Sequence, residues 1–561
     1  MNDRRRATGD GRRATGDGRR ATGDGRRAVV LFAARSANAL HRLLDVIPVF
    51  AGDDRVSRLF TLVPGSDFGL EALAAIERAE ARTLPWAQAR QRSFDLILAA
   101  SPKGDLHLHG PCVLLPHGAG FNKTVPGEGA MPSGLDPANV MPGGHALASF
   151  YALAHPSQLA RLAEFSPRAA ERAAVVGDPV LDRILASRSH RDRYRETLGT
   201  GGRKLIVLTS TWGPESLLER RPGLVAELAT RLPHDAYQLA ALAHPNVRGQ
   251  IGGFELSERL APALDAGLIL AEPYQEWAAL LIAADAVITD HGSAALYAGA
   301  LDRPVIAACD GGTELLPGSP MAALLAAVPS LDQPGDLRDH LPDDLPGALE
   351  AAISAYRPGS GPTVAESAFA EQGRAIELLR AEVYRLLGLA PPDVIAAARP
   401  LPIPVTAARP VSAFAVKTYT DGDEVRVERF PAHTDVPAHH LAAEYGAASE
   451  RHLRGAGLVY RRASRDDRAA QVGLTPSAPH SETWTADGWT ARVLDDYPGC
   501  RTAAVILSPE LGVARTRAGS FLTVRIEPRQ AGGRIVHTDP AAVLSAVHEW
   551  LARDPALTAV I

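Results

Sequence analysis

The 561-residue chain contains little cysteine and no long apolar run, and each shortage excludes a class of protein. The cysteines at positions 112, 309 and 500 are widely separated, so they form neither a disulfide framework nor a metal-ligand pattern. No stretch approaches the roughly 18–20 consecutive apolar residues that a membrane-spanning helix requires. A reducing cytoplasm is therefore the expected setting for this chain.

Three common catalytic signatures are also missing from the sequence. There is no phosphate-binding Walker loop, no zinc-ligand spacing and no Gly-x-Ser-x-Gly nucleophile elbow. We therefore predict neither a bound metal nor a cofactor. Asp421-Gly422-Asp423 imitates a metal-binding Asp-x-Asp motif, but it joins two alternating apolar segments, and a hairpin turn is the better interpretation.

A tandem repeat opens the chain. The heptapeptide Arg-Arg-Ala-Thr-Gly-Asp-Gly occurs three times over residues 5–25. The repeat contains no apolar residue other than alanine, so we predict a disordered tail over residues 1–27. A basic tail on a chain of net charge −5 could attract nucleic acid or anionic lipid. A sequence duplication without function is the interpretation we favour, and we predict no nucleic-acid partner.

Two successive sets of short apolar strands and helices follow the tail. The first set, over residues 28–190, has predicted strands at 28–33, 59–63, 96–99, 113–115 and 174–176 and a helix-rich stretch at 147–165. The second set, over residues 200–388, has predicted strands at 204–209, 238–242, 268–270, 286–289 and 304–307 and a closing amphipathic helix at 364–387. This alternation is typical of parallel sheets. We predict an α/β protein with two Rossmann-like domains and a ligand cleft between them.

The pattern changes in the last third of the chain. Prolines mark a semi-rigid linker over residues 389–411. Beyond it, alternating segments at 413–419 and 424–430 predict a β-hairpin, and further elements are predicted at 503–507, 521–526 and 541–551. We therefore predict a separate α+β domain over residues 412–561.

The most informative motif is a strand that ends in a polar elbow. The predicted strand at 286–289 runs into Asp290-His291-Gly292-Ser293, and a helix of small residues follows. Ligands of open α/β sheets bind at the carboxyl ends of strands, and a helix that starts at Ser293 points free backbone N–H groups towards an anion. The elbow therefore indicates recognition of a phosphate or diphosphate, with an ordinary strand-to-helix turn as the alternative.

Four further segments follow predicted strands and complete a candidate site. They are His117-Gly118 with Lys123 shortly after it, the run from Gly177 to Asp182, Thr211-Trp212, and His244-Pro245. An imidazole placed in such a loop can take up or release a proton near neutral pH. The alternative for each histidine is a structural role, in which it bonds only to the backbone around it.

Taken together, the five segments resemble the CDP-glycerol glycerophosphotransferase family, GT-B-fold enzymes of teichoic-acid synthesis. That family carries a His-Gly turn followed by lysine, a Gly-x-Pro-x-x-Asp segment, a Pro-Thr-Trp-Arg segment, a His-Pro pair and a Thr-Asp-Tyr-Ser-Ser elbow. The resemblance covers roughly residues 95–310. It implies that the two Rossmann-like domains adopt a GT-B arrangement.

The resemblance also implies an activity. A glycerophosphate-like or glycosyl group would pass from a nucleotide-diphosphate donor, CDP-linked by preference, to a hydroxyl acceptor in cell-envelope polymer synthesis. The acceptor could be a lipid-linked polymer, which would bring the protein to the inner face of the plasma membrane. The implied catalytic residues are His117, as the base, and His244, which would hold the donor's diphosphate and steady the leaving nucleotide. The implied donor-binding residues are Thr211, Lys123, Asp290, His291, Gly292 and Ser293, and the implied loop-shaping residues are Gly118, Gly177 and Asp182.

Departures from the family pattern keep other functions open. Gly213 stands where the family has arginine, and Tyr297 stands where it has an acidic residue. The lost arginine removes a bidentate phosphate contact, so a catalytically inactive nucleotide-binding module is one alternative. An enzyme like the non-hydrolysing UDP-N-acetylglucosamine 2-epimerases is another, because that family shares the elbow and the Gly-x-Pro-x-x-Asp segment. A third is sugar transfer like that of bacterial CMP-sialyltransferases, which also pair a His-Pro segment with a serine motif.

Overall fold

A computed structural model describes residues 27–65, 69–115, 119–124, 131–272, 276–331, 341–422, 424–432, 437–464, 484–531 and 534–553. The predicted tail, apart from Arg27, and the predicted site residues His117 and Gly118 lie outside the described residues. Within the described part of the chain, no helix combines the length and apolar character that crossing a bilayer requires.

Six parallel strands form the first sheet. They are β1 (Ala28–Ala34), β2 (Val56–Leu62), β3 (Leu96–Ala99), β4 (Cys112–Leu114), β5 (Phe150–Leu153) and β6 (Ala173–Val175), arranged in the order β2-β1-β3-β4-β5-β6. The accompanying helices are α1 (Ala37–Asp45), α2 (Gly69–Arg78), α3 (Trp86–Ala89), α4 (Pro137–Val140), α5 (Pro156–Phe165), α6 (Pro167–Ala170), α7 (Pro179–Ala186) and α8 (Arg191–Thr197). Strands β1 and β3 are almost wholly apolar and buried, as expected of a parallel sheet that is covered on both faces.

Strand β5 occupies part of the stretch that was predicted to be helix-rich. Its four residues are all buried, and the strand pairs with β4 on one side and β6 on the other. The helix prediction holds only for the following residues, where α5 begins. A short apolar run does not distinguish a buried strand from a buried helix, so its pairing in the sheet decides the outcome.

Five parallel strands form the second sheet. They are β7 (Lys204–Ser210), β8 (Tyr237–Ala243), β9 (Ile269–Leu270), β10 (Ala286–Thr289) and β11 (Val305–Ala307), arranged in the order β11-β10-β7-β8-β9. The accompanying helices are α9 (Leu217–Arg220), α10 (Leu224–Arg231), α11 (Pro245–Arg259), α12 (Ala261–Asp265), α13 (Trp277–Ala283), α14 (Ala294–Ala300), α15 (Pro320–Ala327), α16 (Leu345–Ala355) and α17 (Ser360–Ala365). The last helix before the linker, α18 (Ala375–Leu387), packs against the first sheet instead.

The predicted closing helix at 364–387 is two helices, α17 and α18, separated by nine residues. Glu371 and Gly373 in this break have φ angles of 50° and 80°, in the left-handed region that an α-helix cannot contain. After the break the chain returns to the first domain, where Leu379 and Val383 of α18 pack into the same core as β1. The amphipathic pattern of α18 was predicted correctly, and the helix length was wrong.

A third, mixed sheet follows the linker. Its strands are β12 (Ala413–Asp421), β13 (Glu424–Pro431), β14 (His440–Glu444), β15 (Leu458–Arg462), β16 (Thr502–Ser508), β17 (Leu511–Thr516) and β18 (Phe521–Arg525), in the order β13-β12-β14-β15-β16-β17-β18. A two-stranded ladder, β19 (Arg529–Ala531) and β20 (Arg534–Val536), and the helices α19 (Glu450–Gly455), α20 (Ala486–Asp496) and α21 (Pro540–Arg553) complete it. The predicted hairpin is β12 and β13, whose register ends at the Asp421–Glu424 pair.

The predicted fold class is confirmed: two Rossmann-like units in a GT-B arrangement are followed by an α+β unit. The third sheet is fastened to the second domain by a buried guanidinium. Arg429 is 1% exposed, and it donates to Asp235 of the second domain at 2.8 Å and to Asp539 of its own at 2.7 Å. The two carboxylates are about one-third exposed, so a buried guanidinium links one partly exposed carboxylate from each side of this contact.

The proline-rich segment 389–411 is bound along both Rossmann-like domains. Near its start, the Ala390 carbonyl accepts from Arg55 of the first domain at 2.7 Å. Near its end, the Thr406 N–H donates to Glu276 of the second domain at 2.9 Å. The segment is therefore a docked strap rather than a free spacer.

All three cysteines are buried, and none of them forms a disulfide. Burial raises the pKa of Cys112 to about 12 and also raises the pKa of Cys500. The thiolate, which is the reactive form, is therefore scarce at neutral pH.

Candidate functional site

The strand order reverses once in each parallel sheet, and polar residues follow the strands at both reversals. In the first sheet the reversal lies between β1 and β3, which lead into Arg35 and Ser101. In the second sheet it lies between β7 and β10, which lead into Thr211 and into the elbow that begins at Asp290. Such reversals are where open α/β sheets bind their ligands.

Both reversals open into one cleft of about 590 Å³ between the two domains. Its polar lining from the first domain includes Arg35, Ser36, Arg42, Ser101, Lys103 and Lys123, and from the second domain it includes Thr211, Trp212, His244, His291, Gly292 and Ser293. The cleft therefore brings together six of the predicted catalytic and donor-binding residues. Asp290 is near it but does not line it.

Asp290 holds the two loops of the second reversal together. Its carboxylate is fully buried and accepts backbone N–H bonds from Thr211 at 2.9 Å, Leu217 at 2.8 Å and Gly292 at 2.8 Å. These bonds commit the carboxylate to the protein backbone. The Asp290 carboxylate therefore has a scaffolding role behind the cleft, and its predicted role in donor binding stays a prediction.

Gly292 sits where the backbone must approach both Asp290 and the neighbouring loop. A Cβ atom at this position would lie 3.0 Å from Asp290 Oδ1 and 3.3 Å from Thr211 Cβ. The next residue, Ser293, begins α14, and its side chain makes no capping bond to that helix. The elbow therefore presents a narrow backbone edge and a serine side chain to the cleft.

His244 begins α11 at the end of β8. Its Nδ1 accepts the N–H of Asn246 at 3.1 Å, and its ring lies 6.3 Å from the ring of Trp212. Because Nδ1 is an acceptor here, the neutral imidazole carries its proton on Nε2. His244 thus caps α11 and also lines the cleft. Its Nε2–H group can donate a hydrogen bond to a phosphate oxygen.

Lys123 reaches from the first domain into the second. Its ammonium lies 3.0 Å from the Trp212 carbonyl, 3.2 Å from Glu314 Oε2 and 4.9 Å from the centre of the Trp212 ring. The backbone around it also pairs with the second domain, since the Thr124 N–H donates to the Glu314 carbonyl at 2.9 Å. Lys123 therefore ties the two domains together at the cleft.

His291 is almost fully buried and shares the partner of Lys123. Its Nε2 lies 3.2 Å from Glu314 Oε2, and its Nδ1 has no hydrogen-bond partner among the described residues. Glu314 is 3% exposed, and one of its carboxylate oxygens, Oε2, contacts both the Lys123 ammonium and the His291 imidazole. Glu314 was not predicted, because no motif surrounds it in the sequence.

Arg42 and Tyr297 form a second connection between the domains. The Arg42 guanidinium donates to the Tyr297 hydroxyl at 3.0 Å, and that hydroxyl donates to Asp178 at 2.7 Å. Burial raises the pKa of Tyr297 well above its usual range, so the phenol keeps its proton. The residue that stands in place of the family's acidic group is thus turned towards Asp178. Arg42 was missed because it lies on the polar face of an ordinary amphipathic helix.

The segment from Gly177 to Asp182 shapes the junction between the domains. Gly177 has a φ of 85°, and a Cβ atom there would lie 3.0 Å from the Ala370 carbonyl oxygen. The Asp182 carboxylate accepts the N–H groups of Gly373 at 2.6 Å and Ala375 at 2.7 Å, at the start of α18. Gly177 therefore allows a close approach of two backbone segments, and Asp182 holds the backbone at the start of α18.

Gly213 is confined by its surroundings. Its φ is 101°, a conformation that side chains disfavour, and a Cβ atom there would lie 2.9 Å from Glu314 Oε1. The loop after Trp212 is therefore built around a glycine and a buried carboxylate. An arginine at this position would need a different backbone conformation, and its side chain would displace the Glu314 carboxylate.

Comparison with known proteins adds fold neighbours only. No family model matches the chain, and no curated protein matches it. Similar solved structures include the wall teichoic acid polymerase TagF, with 15% identity, a TM-score of 0.44 and coverage of 64% of this chain and 89% of that one. Another is UDP-GlcNAc 2-epimerase from Neisseria meningitidis bound to UDP-GlcNAc, with 14% identity, a TM-score of 0.41 and coverage of 64% and 100%. Both belong to families that the sequence motifs resemble, and likeness at this level says nothing of substrate or activity.

Proposed function

We propose that this protein is a GT-B-type transferase that uses a nucleotide-diphosphate donor, CDP-linked by preference. It moves a glycerophosphate-like or glycosyl group to a hydroxyl acceptor in the synthesis of a cell-envelope polymer. The observation that carries this proposal is the shared cleft, into which the reversal points of both parallel sheets open. One domain can thus present the donor to an acceptor held by the other.

The second domain supplies the donor side of the proposed reaction. Gly292 allows the backbone to approach a phosphate closely, and Thr211 and Ser293 line the cleft beside it. His244 faces the same space, with its Nδ1 fixed by Asn246. We assign the opposite ring nitrogen of His244 to the donor's diphosphate, where a hydrogen bond stabilises the charge that develops on the leaving nucleotide. That nucleotide is a monophosphate if a glycerophosphate-like group is transferred and a diphosphate if a glycosyl group is transferred.

The first domain supplies the acceptor side. His117 follows β4 in the sequence and is proposed as the base that takes the proton of the acceptor hydroxyl. The hydroxyl oxygen then bonds to the donor's reacting centre while the bond to the leaving nucleotide breaks. A lipid-linked acceptor would bring the protein to the inner face of the plasma membrane.

A nucleotide-binding module without catalysis is the second candidate function. The observation that favours it is the packing around Gly213 and Tyr297, the two positions that depart from the family pattern. Gly213 is packed against Glu314, and the Tyr297 hydroxyl is bonded to Asp178. Neither position can therefore offer the charged group that the transferases have there.

The experiment is isothermal titration of the full chain with CDP, UDP and GDP, beside an assay of donor consumption. We expect one nucleotide class to bind. His244→Ala should weaken that binding and lower turnover, and His117→Ala should lower turnover by about 10²–10⁴-fold with affinity nearly unchanged. His145→Ala, an exposed histidine outside the cleft, is the matched control.

Three outcomes separate the candidates. Binding without consumption of any donor, with polyol, sugar and polymer acceptors all tried, supports the binding module. No binding of any nucleotide overturns both candidates. His244→Ala and His117→Ala variants that behave like the wild type in both assays overturn the assignment of roles.

A further inference from the structure

Glu314 is a buried acid at the edge of the cleft that no sequence motif accounts for. It lies in the loop after β11, is 3% exposed, and touches two cleft-lining residues through a single oxygen. The Lys123 ammonium and His291 Nε2 are each 3.2 Å from Oε2. We call Lys123, His291 and Glu314 the lysine corner.

The lysine corner carries no net charge when its imidazole is neutral. One ammonium faces one carboxylate, and the other carboxylate oxygen, Oε1, has no hydrogen-bond partner among the described residues. Oε1 lies beside Gly213, which brings no positive charge of its own. The corner therefore lacks the surplus positive charge that a diphosphate site usually has.

Arg42 is the second cationic side chain that reaches from one domain to the other, and its positive charge is also offset by a carboxylate. Arg42 lies 3.5 Å from Asp178, whose side chain is fully buried. Arg42 and Lys123, two cleft-lining cations that contact the other domain, are therefore both paired with carboxylates. A phosphate that enters here meets compensated charge, and each further negative charge on it is repelled by Glu314.

We propose that Glu314 is a specificity-determining residue of the cleft. Its negative charge reduces the preference of the cleft for a ligand with two phosphates over a ligand with one. This inference rests on the proposed function, because it concerns the nucleotide site. Glu314 acts at two levels. It holds Lys123 and His291 in place by contact, and it offsets the positive charge of Lys123 for any anion bound next to them.

The test uses the full chain and compares CMP with CDP by isothermal titration at low and high salt. CDP carries more negative charge than CMP, so removal of one nearby carboxylate charge helps CDP more. Glu314→Gln keeps the shape and the hydrogen bonds of the side chain and removes its charge. We expect its affinity for CDP to rise by about threefold to tenfold, with a smaller rise for CMP. The gain should shrink in high salt because screening weakens the interaction.

Two further variants isolate the charge. Glu215→Gln removes a carboxylate from the same domain that pairs with Arg220 and does not line the cleft, so the ratio of CMP to CDP affinity should stay as in the wild type. Glu314→Asp keeps the charge, so its ratio should also stay near that of the wild type. If Glu314→Gln does not fold, Lys123→Gln tests the corner from the cationic side and should weaken CDP more than CMP.

The outcomes are distinct from those that test the proposed function. Equal weakening of CMP and CDP in Glu314→Gln, or no change in their ratio, overturns the role of Glu314 while nucleotide binding by the wild type stands. If the wild type binds neither nucleotide, the proposed function fails. Inorganic pyrophosphate and phosphate then replace CDP and CMP, and absence of a selective gain for pyrophosphate overturns the inference as well.

Discussion

At the scale of single residues, the elbow combines two roles within a few positions of the sequence. Some of its residues face the cleft, and others hold the backbone in place behind it. Asp290 is fully buried and bonded to three backbone N–H groups, whereas Gly292 and Ser293 face the cleft. A motif in the sequence does not separate these two roles, because both need polar or small residues at the end of a strand. Burial separates them.

Substitutions in the elbow should affect nucleotide binding in a graded way. Ser293→Ala should cost about 1 kcal/mol of binding free energy if one hydrogen bond to a phosphate is lost. Gly292→Val should cost more, because its Cβ would lie 3.0 Å from Asp290 Oδ1. Titration with CDP measures both.

Gly223→Val is the control for the valine substitution, since nothing lies within 4 Å of a Cβ atom at Gly223 and its φ is not in the left-handed region. Unchanged affinity in both elbow variants would move the donor site elsewhere.

At the scale of elements, α18 depends on a residue that is far away in sequence. Its N-cap residue, Arg374, makes no side-chain capping bond, and the Asp182 carboxylate takes the Ala375 N–H instead. Burial raises the pKa of Asp182, although the backbone donors oppose that shift. The domain junction and the closing helix therefore share one carboxylate.

Removal of that carboxylate should destabilise the protein. Asp182→Ala leaves the N–H groups of Gly373 and Ala375 without their acceptor and should lower the free energy of unfolding by about 1–3 kcal/mol. Chemical denaturation measures the change. Glu377→Ala, an exposed position in the first turn of the same helix, should change stability far less. Equal effects of the two substitutions would show that the Asp182 bonds contribute little.

The strand and helix pattern of both Rossmann-like units could be predicted from the sequence, because apolar runs and their spacing reflect burial directly. Strand β5 and the break before α18 could not be predicted. The first depends on pairing with β4 and β6, and the second depends on backbone angles at Glu371 and Gly373.

The candidate site was predicted in part for a related reason. Thr211 and His244 follow strands, so their sequence position places them at the cleft. Glu314 and Arg42 reach it through contacts between the domains, and such contacts leave no local pattern in a single sequence. The role of His117 stays a prediction.

At the scale of the whole molecule, four histidines with lowered pKa values should make the protein sensitive to acid. Burial, together with nearby positive charge, lowers the pKa of His41 to about 3 and that of His234 to about 4. It lowers the pKa of His440 to about 3 and that of His548 to about 4. In the unfolded chain the same four histidines take up protons near pH 6.5, the ordinary pKa of histidine.

The direction of the change in stability with pH follows from these lowered pKa values. Below about pH 6.5 the unfolded chain holds more protons than the folded one, so stability is lost as the pH falls towards the folded values. Each such histidine contributes a slope of about 1.4 kcal/mol per pH unit in that window. Asp45 and Glu444, whose pKa values burial raises, act in the opposite direction at lower pH.

Thermal unfolding between pH 7 and pH 5 measures the effect. Neither ring nitrogen of His440 has a hydrogen-bond partner among the described residues, so His440→Leu removes a titrating group without breaking a bond. The variant should lose less stability than the wild type over this range. An identical pH dependence of the two proteins would contradict the assignment.

The burial of all three cysteines has a practical meaning for the cleft. Maleimide reagents attack thiolates, the native thiols are all buried, and burial raises the pKa of both Cys112 and Cys500. A cysteine introduced on the surface of each Rossmann-like domain would therefore take up a fluorophore without prior removal of the native ones. The separation between two such dyes would report the distance between the two domains in a single molecule.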